Sequence, residues 1–232
     1  MRHLKTALLA SAMIAIGAAH SADATVYIAY QYGAGPLTVV ATDPTDASWA
    51  ATLAPNLKVT TTTGSTGGYP AVLGSNVSVK YTGGAGPQPS NLDIFVTVDN
   101  LTSLVGFFDS GLTENQLLGA WSITESTFFD AANGLFGGTL LASNLFVGPS
   151  PNTAKYDATS LNMSLAGPYS VTHQYHIVAP SNANAPTSSA LSTISVTATA
   201  VPEPATWAMM LAGFGLAGAT YRRRNTRSAL TA

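Results

Sequence analysis

Along most of this chain the polarity of the side chains alternates with a period of two. LDIFVTVDN, residues 92–100, puts Ile94, Val96 and Val98 on one side and Asp93, Phe95 and Thr97 on the other. A half-buried β-strand imposes that spacing, because successive side chains point to opposite faces. TVYIAYQY at 25–32 gives Val26, Ile28, Tyr30 and Tyr32 a common face, and 33–36 then turns the chain into LTVVAT. LKVTTTT is closed by GSTGG, and NVSVKYT is followed by GGAGPQPSN, a stretch too rich in Gly and Pro for regular structure. Runs at 139–147, 154–165, 169–178 and 191–200 repeat the theme, each set off by Gly, Pro or Asn. Short strands punctuated in this way, without a long helical period, predict an all-β domain over 25–200. The expected form is an antiparallel β-sandwich, Ig-like or jelly-roll-like, of roughly eight to eleven strands. One stretch reads differently: TENQLLGA at 113–120 predicts a short helix capped by Thr113 and weakened by Gly119. No internal repeat at solenoid or propeller spacing is present.

The charges are segregated. All five arginines lie near the ends, at Arg2, Arg222, Arg223, Arg224 and Arg227, while 25–200 holds three lysines against nine acids, a net of −6. An acidic body without arginine is a poor ligand for phosphate backbones, so nucleic-acid binding is not expected. The chain has no cysteine. A domain without disulfides must be stabilised by its core, which favours one sizeable sandwich over a small stapled module.

Both ends read as addresses. MRHLK followed by TALLASAMIAIGAA is a basic segment, an apolar run and small residues, the layout of a secretory signal peptide over 1–24 that engages the secretion translocon. The best A-x-A site is Ala22-Asp23-Ala24, which makes Thr25 the new N-terminus. At the other end, 205–221 is a run of 17 residues without a charge. At about 1.5 Å per residue it reaches about 25 Å, close to a hydrocarbon core of roughly 30 Å. Trp207 suits one interface, and Arg222, Arg223 and Arg224 suit the cytoplasmic one. A transmembrane helix with its upstream domain outside is therefore expected, within a C-terminal segment at 201–232. Gly213, Gly215 and Gly218, with Ala212, Ala217 and Ala219, make this helix surface small enough to pack closely against another membrane protein. Pro202-Glu203-Pro204 precedes the run and cannot join a helix, so it presents an extended segment at the membrane surface.

Pro202, Glu203 and Pro204, then Trp207 and Ala208, then Gly213-Phe214-Gly215, then Arg222, Arg223 and Arg224, together resemble the C-terminal sorting signal of PEP-CTERM proteins in its PEPxxWA variant. The short extension SALTA beyond the arginines departs from the pattern. The resemblance is confined to about residues 201–227. It implies transient insertion in the inner membrane, processing by an exosortase at the Pro-Glu-Pro segment, and delivery to the cell surface or an extracellular biofilm matrix rich in exopolysaccharide.

The body offers little chemistry. His173 and His176 in VTHQYHIV would share a face of a helix, but their β-branched neighbours favour a strand, which sends them to opposite faces and argues against a metal site. The acids are scattered singly at Asp43, Asp46, Asp93, Asp99, Asp109, Glu114, Glu125, Asp130 and Asp157. Asp43 with Asp46, or Asp130 with Asn133, would line a calcium loop, but turn capping explains them more simply. GSTGG lacks the spacing of a nucleophile elbow, and the low density of acids gives no encouragement for a pair of opposed carboxylates, so neither an enzyme nor a cofactor is expected. Tyr27, Tyr30, Tyr32, Trp49, Tyr69, Tyr81 and Trp121 are the candidates for stacking on sugar rings, or alternatively for filling the core. The first expectation is a structural or interaction protein. A lectin-like module binding exopolysaccharide is the alternative, and an extracellular hydrolase comes third.

Overall fold

A computed structural model describes residues 23–53, 57–66, 72–81, 91–102, 106–149, 153–160, 168–179, 189–199 and 208–215. Twelve strands are formed among them: β1 (Val26–Tyr32), β2 (Thr38–Asp43), β3 (Ser48–Leu53), β4 (Leu57–Thr66), β5 (Val72–Tyr81), β6 (Leu92–Leu101), β7 (Phe107–Leu118), β8 (Ser122–Asp130), β9 (Thr139–Val147), β10 (Ala154–Thr159), β11 (Tyr169–Val178) and β12 (Ser189–Thr199). A short helix α1 occupies 208–215. The strands make two six-stranded sheets, A in the order β2-β1-β6-β11-β8-β9 and B in the order β10-β7-β12-β5-β4-β3, and all the strand pairs are antiparallel. The expected antiparallel sandwich is thus present.

Three strands, β3, β7 and β8, were not expected, and one expectation is overturned. Residues 113–118 of the predicted helix are strand, paired with β10 on one side and β12 on the other. The reason is a bulge. Ser192 faces Glu114 while Leu191 faces Gln116, so Asn115 has no opposite number. The extra residue shifts the inward set to Leu112, Glu114 and Leu117, a spacing that no longer alternates. β4 likewise runs through Gly64 to Thr66 instead of closing at Gly64.

Inward residues of both sheets form two apolar clusters. One is built around Trp121, Tyr81, Leu112, Ile123 and Ile177, the other around Phe108, Phe129, Tyr169, Val96 and Val196. Each fully buried aliphatic side chain contributes about 1.5–3 kcal/mol over an exposed one, which is how a chain without disulfides holds this fold. A polar seam also runs through the interior. On sheet A, Glu125 is paired with Tyr175 and Thr127 with His173; on sheet B, Glu114 is paired with Ser192 and Ser75 with Ile194. The six polar side chains of these pairs and Tyr175 are all buried. The Ser192 hydroxyl donates across the gap to Glu125 Oε1. Ser75 Oγ lies 2.7 Å from both His173 Nδ1 and Tyr175 Oη, while Tyr175 Oη donates to the Ser75 carbonyl at 2.8 Å and accepts from the Ile194 amide at 3.0 Å. One proton arrangement uses every contact: His173 Nδ1–H donates to Ser75, Ser75 to Tyr175, and Tyr175 to the Ser75 carbonyl. These bonds tie the sheets together where apolar packing alone would let them slide.

Candidate functional site

The outward face of sheet A is the exposed surface with the most chemistry. Register aligns Gln31, Asp93, His176 and Thr124 across β1, β6, β11 and β8, and beside them Phe95, Gln174, Ser126 and Ser143. Asp93 Oδ1 accepts from Gln174 Nε2 at 3.0 Å and pairs with His176 Nδ1 at 2.8 Å. The His176 side chain is 38% exposed and that of Asp93 12%, so the imidazole is the more accessible group and the carboxylate orients it. Ser126 and Ser143 share a hydrogen bond at 2.8 Å.

The segment 131–138 folds over one end of this face. Phe136 packs edge-on against Phe95 with ring centroids 6.2 Å apart, and its amide donates to Thr97 Oγ1 at 3.3 Å. Asn133 and Asn100 bond reciprocally at 2.8 Å, and Ser170 donates to the Gly134 carbonyl. Phe136 has φ 59, a left-handed conformation that costs a bulky residue about 1–2 kcal/mol. Strain of this kind persists only where the surroundings hold it. The turn ends at Gly138, where φ is 120 and a Cβ would run into the Phe129 carbonyl.

The outward face of sheet B is different. It presents Thr60, Thr62, Asn76, Ser78, Thr193, Ser195 and Thr197, with Thr193 Oγ1 accepting from Asn115 at 2.8 Å and Asn76 at 3.3 Å, and with Lys58 opposite Lys80.

Most of the aromatic candidates are structural. Tyr81 and Trp121 are buried. Tyr30 stacks on Trp49 at 5.0 Å and 13°, and both rings, like Tyr32, pack half-buried against the core. Burial pushes the Tyr32 hydroxyl pKa up. Tyr27 donates to Asp99 Oδ2 at 3.4 Å, and its pKa is raised by burial first and by Asp99 second. Tyr69 lies outside the described residues. Phe136, which packs edge-on against Phe95 at the outward face of sheet A, is not among the candidates; nothing in DAANGLFGG marks it without the fold.

His173 and His176 do point to opposite faces of one strand, His173 inward and His176 outward. Among the described residues no three His, Cys, Asp or Glu side chains gather closely enough to hold a metal ion. Asp43 caps its own turn, accepting from the Thr45 and Asp46 amides at 2.9 and 3.0 Å, and those N–H groups hold its carboxyl below the usual range. Asp130 does the same for Ala132 at 2.7 Å. Glu114 and Glu125 are both buried between the sheets, close enough for Glu114 to act on the Glu125 carboxyl. Burial, with a smaller push from Glu114, raises the Glu125 pKa to about 8 against a hydrogen bond from the Thr113 backbone.

Of the terminal residues, Ala24 is described and packs against the second apolar cluster just before β1, while Ala22 lies outside the described residues. Ala208, Gly213, Phe214 and Gly215 lie on α1, which is exposed along its length; Pro202, Glu203, Pro204, Trp207, Arg222, Arg223 and Arg224 lie outside the described residues. Among the described residues no helix is long and apolar enough to cross a membrane.

Residues 200–224 match the PEP-CTERM protein-sorting motif. The chain therefore carries the C-terminal signal of an exported protein sorted to the cell surface. No curated protein sequence matches it. Among solved structures it is similar to the K1 cleaved adhesin domain of Lys-gingipain from Porphyromonas gingivalis W83, with 10% identity over 75% of this chain and 99% of that one and a TM-score of 0.37. It is similar to the adhesin domain of Epf from Streptococcus pyogenes, with 13% identity over 77% and 60% and a TM-score of 0.36. It is also similar to a family 11 carbohydrate-binding module from Clostridium thermocellum in complex with a mixed-linked tetrasaccharide, with 10% identity over 76% and 98% and a TM-score of 0.33. At these scores the ligands of those proteins have no bearing on this chain.

Proposed function

We propose that this chain is a non-catalytic structural or interaction protein of the cell surface or the biofilm matrix. It leaves the cell through the secretion translocon, is held briefly in the inner membrane by its C-terminal segment, and is cut there by an exosortase. The sorting motif at 200–224 carries the reading. The sandwich supports it, because sheet B turns a face of Thr, Ser, Asn and Lys to solvent. Such a face suits hydrated, many-point contact within a matrix better than the recognition of one small ligand.

The test is the intact mass of the protein from surface and culture fractions of its host, with and without the processing enzyme. A chain cut near Pro202-Glu203-Pro204 is expected, with the tail kept in the enzyme-deficient strain. The same tail persisting in both strains would sink the reading.

One observation favours a second reading, a lectin-like module. The outward face of sheet A combines a carboxylate-oriented imidazole, an amide, paired hydroxyls and the Phe136 ring, the mix of polar groups and an apolar plane that binds sugar rings. Titration with the host's exopolysaccharide should give heat that His176→Ala and Phe136→Gly abolish.

A further inference from the structure

We infer that Asp99 is a receptor for the amino terminus created by export, so that removal of the leader locks β1 into sheet A with an ion pair the precursor lacks. The inference rests on the reading that cleavage follows Ala24.

The geometry is already in place. Thr25 stands opposite Asp99 at the start of the β1–β6 ladder. The Asp99 amide donates to the Thr25 carbonyl at 3.1 Å, and the Thr25 nitrogen donates to Asp99 Oδ1 at 3.1 Å. The other carboxylate oxygen accepts from Tyr27. Asp99 is only 8% exposed, yet both of these donors are neutral. Among the described residues the one ion pair is His176–Asp93, and Lys58, Lys80 and Lys155 all lie in the other sheet, on β4, β5 and β10. A carboxylate this far from water calls for a cation, and among the described residues none is placed to supply one while the Thr25 nitrogen is still an amide.

Hydrolysis supplies that cation. Water adds across the Ala24–Thr25 peptide bond, its hydroxyl going to the Ala24 carbonyl carbon and its hydrogen to the Thr25 nitrogen. The leader leaves as a carboxylate, and the released proton converts the Thr25 amine to an ammonium. The nitrogen need not move, so a neutral hydrogen bond becomes a charge-assisted one. The order of events follows. Once folded, the chain holds Thr25 from both sides of its peptide and packs Ala24 against the core, so the leader peptidase must act before β1 docks.

Among the described residues, the other titratable or charged groups near the pair are Asp23, just before β1, Tyr27 on β1, Asp43 across from Val26 on β2, and Asp130 across from Ser170 on β8; none of these is basic. An amine pKa raised above its unfolded value contributes stability that is complete below that value and lost as pH rises through the folded one.

The experiment uses the exported protein purified from its host. Its N-terminal residue is read by mass, and the Thr25 Cα shift is then followed by NMR from pH 6 to 11. Three samples are compared: the protein itself, its Nα-acetylated form, and Asp99→Asn. An amine titrating about one unit above the ordinary 7.7–8.0 is expected, returning to that range in Asp99→Asn. Acetylation should lower the folding equilibrium constant about tenfold at pH 6.5 and have no effect at pH 11. Should Asp99→Asn fail to fold, the acetylated protein carries the test. A chain that begins at Thr25 with an amine titrating in the ordinary range overturns the ion pair and leaves the cleavage reading standing. A chain that begins elsewhere overturns both.

Discussion

Glu125 makes the sharpest claim on stability. Its carboxyl sits between the sheets against Ser192, beside Tyr175 and near Glu114, and burial raises its pKa from 4.5 to about 8. Between those two values the unfolded chain releases this proton and the folded chain keeps it. Stability therefore falls as pH rises through that window and is unaffected below it. A shift of 3.5 units at 1.36 kcal/mol each is about 5 kcal/mol once both limits are passed, and about 3 kcal/mol at pH 7. His173 works in the opposite sense. Burial pushes its pKa down to about 3, so the unfolded chain gains a proton below pH 6.5 that the folded chain refuses, and stability falls as pH drops from 6.5 towards 3. Where the windows overlap, from pH 4.5 to 6.5, the two slopes cancel and stability is flat. It declines on either side.

Glu125→Gln isolates the alkaline limb. The amide keeps an oxygen for Ser192 and places an NH₂ where the protonated acid has its O–H, so below pH 4.5 the variant should match the parent within about 1 kcal/mol. Urea unfolding at pH 4.5, 6.5 and 8.5 measures the difference, with equal slopes m confirming that the same surface is exposed in both. The variant's advantage should grow by about 4–5 kcal/mol across that range. An advantage that stays constant with pH would mean that Glu125 ionises as easily folded as unfolded, and the account of the buried seam would be wrong.

Other expectations can be checked on the same material. His173→Gln should remove the acid limb, flattening stability between pH 3.5 and 4.5 where the parent loses about 1.4 kcal/mol per unit; urea series at those two values suffice. Gly138→Ala combines φ 120 with a clash against the Phe129 carbonyl and should cost 3 kcal/mol or more, about the upper end for such strain, read as a fall in the urea midpoint. Trp121→Ala removes one of the largest buried side chains and should cost about 3–5 kcal/mol, with ring-current shifts at Leu112 and Ile123 reporting the loss.

What was legible in the sequence is what alternation can carry. β9 and β11 fall at 139–147 and 169–178, as their pattern predicts, and the opposed orientations of His173 and His176 follow from a spacing of three within a strand. The sorting motif was legible for the same reason, since its chemistry is written in consecutive residues. β7 was not, because its bulge depends on β12, about eighty residues away, and one inserted residue turns Leu112, Glu114 and Leu117 into a pattern that resembles a helix. The consequence reaches further than one strand. A period of two says which residues share a face but leaves open whether that face meets the core or the solvent. Once 122–130 is known to be a strand, which was not expected, Glu125 falls on one face with Ile123 and Phe129. That its partner is Ser192, or that Asp99 meets Thr25, depends on pairings between distant strands. The same ambiguity governs function. A one-residue slip of β11 would bury His176 and expose His173, exchanging the outward imidazole beside Asp93 for the one bonded to Ser75. The buried hydrogen bonds of the seam make that slip costly, because each would leave a polar atom without its partner. The interior seam and the outward polar face are therefore consequences of one register, and a variant that weakens the first should disturb the second.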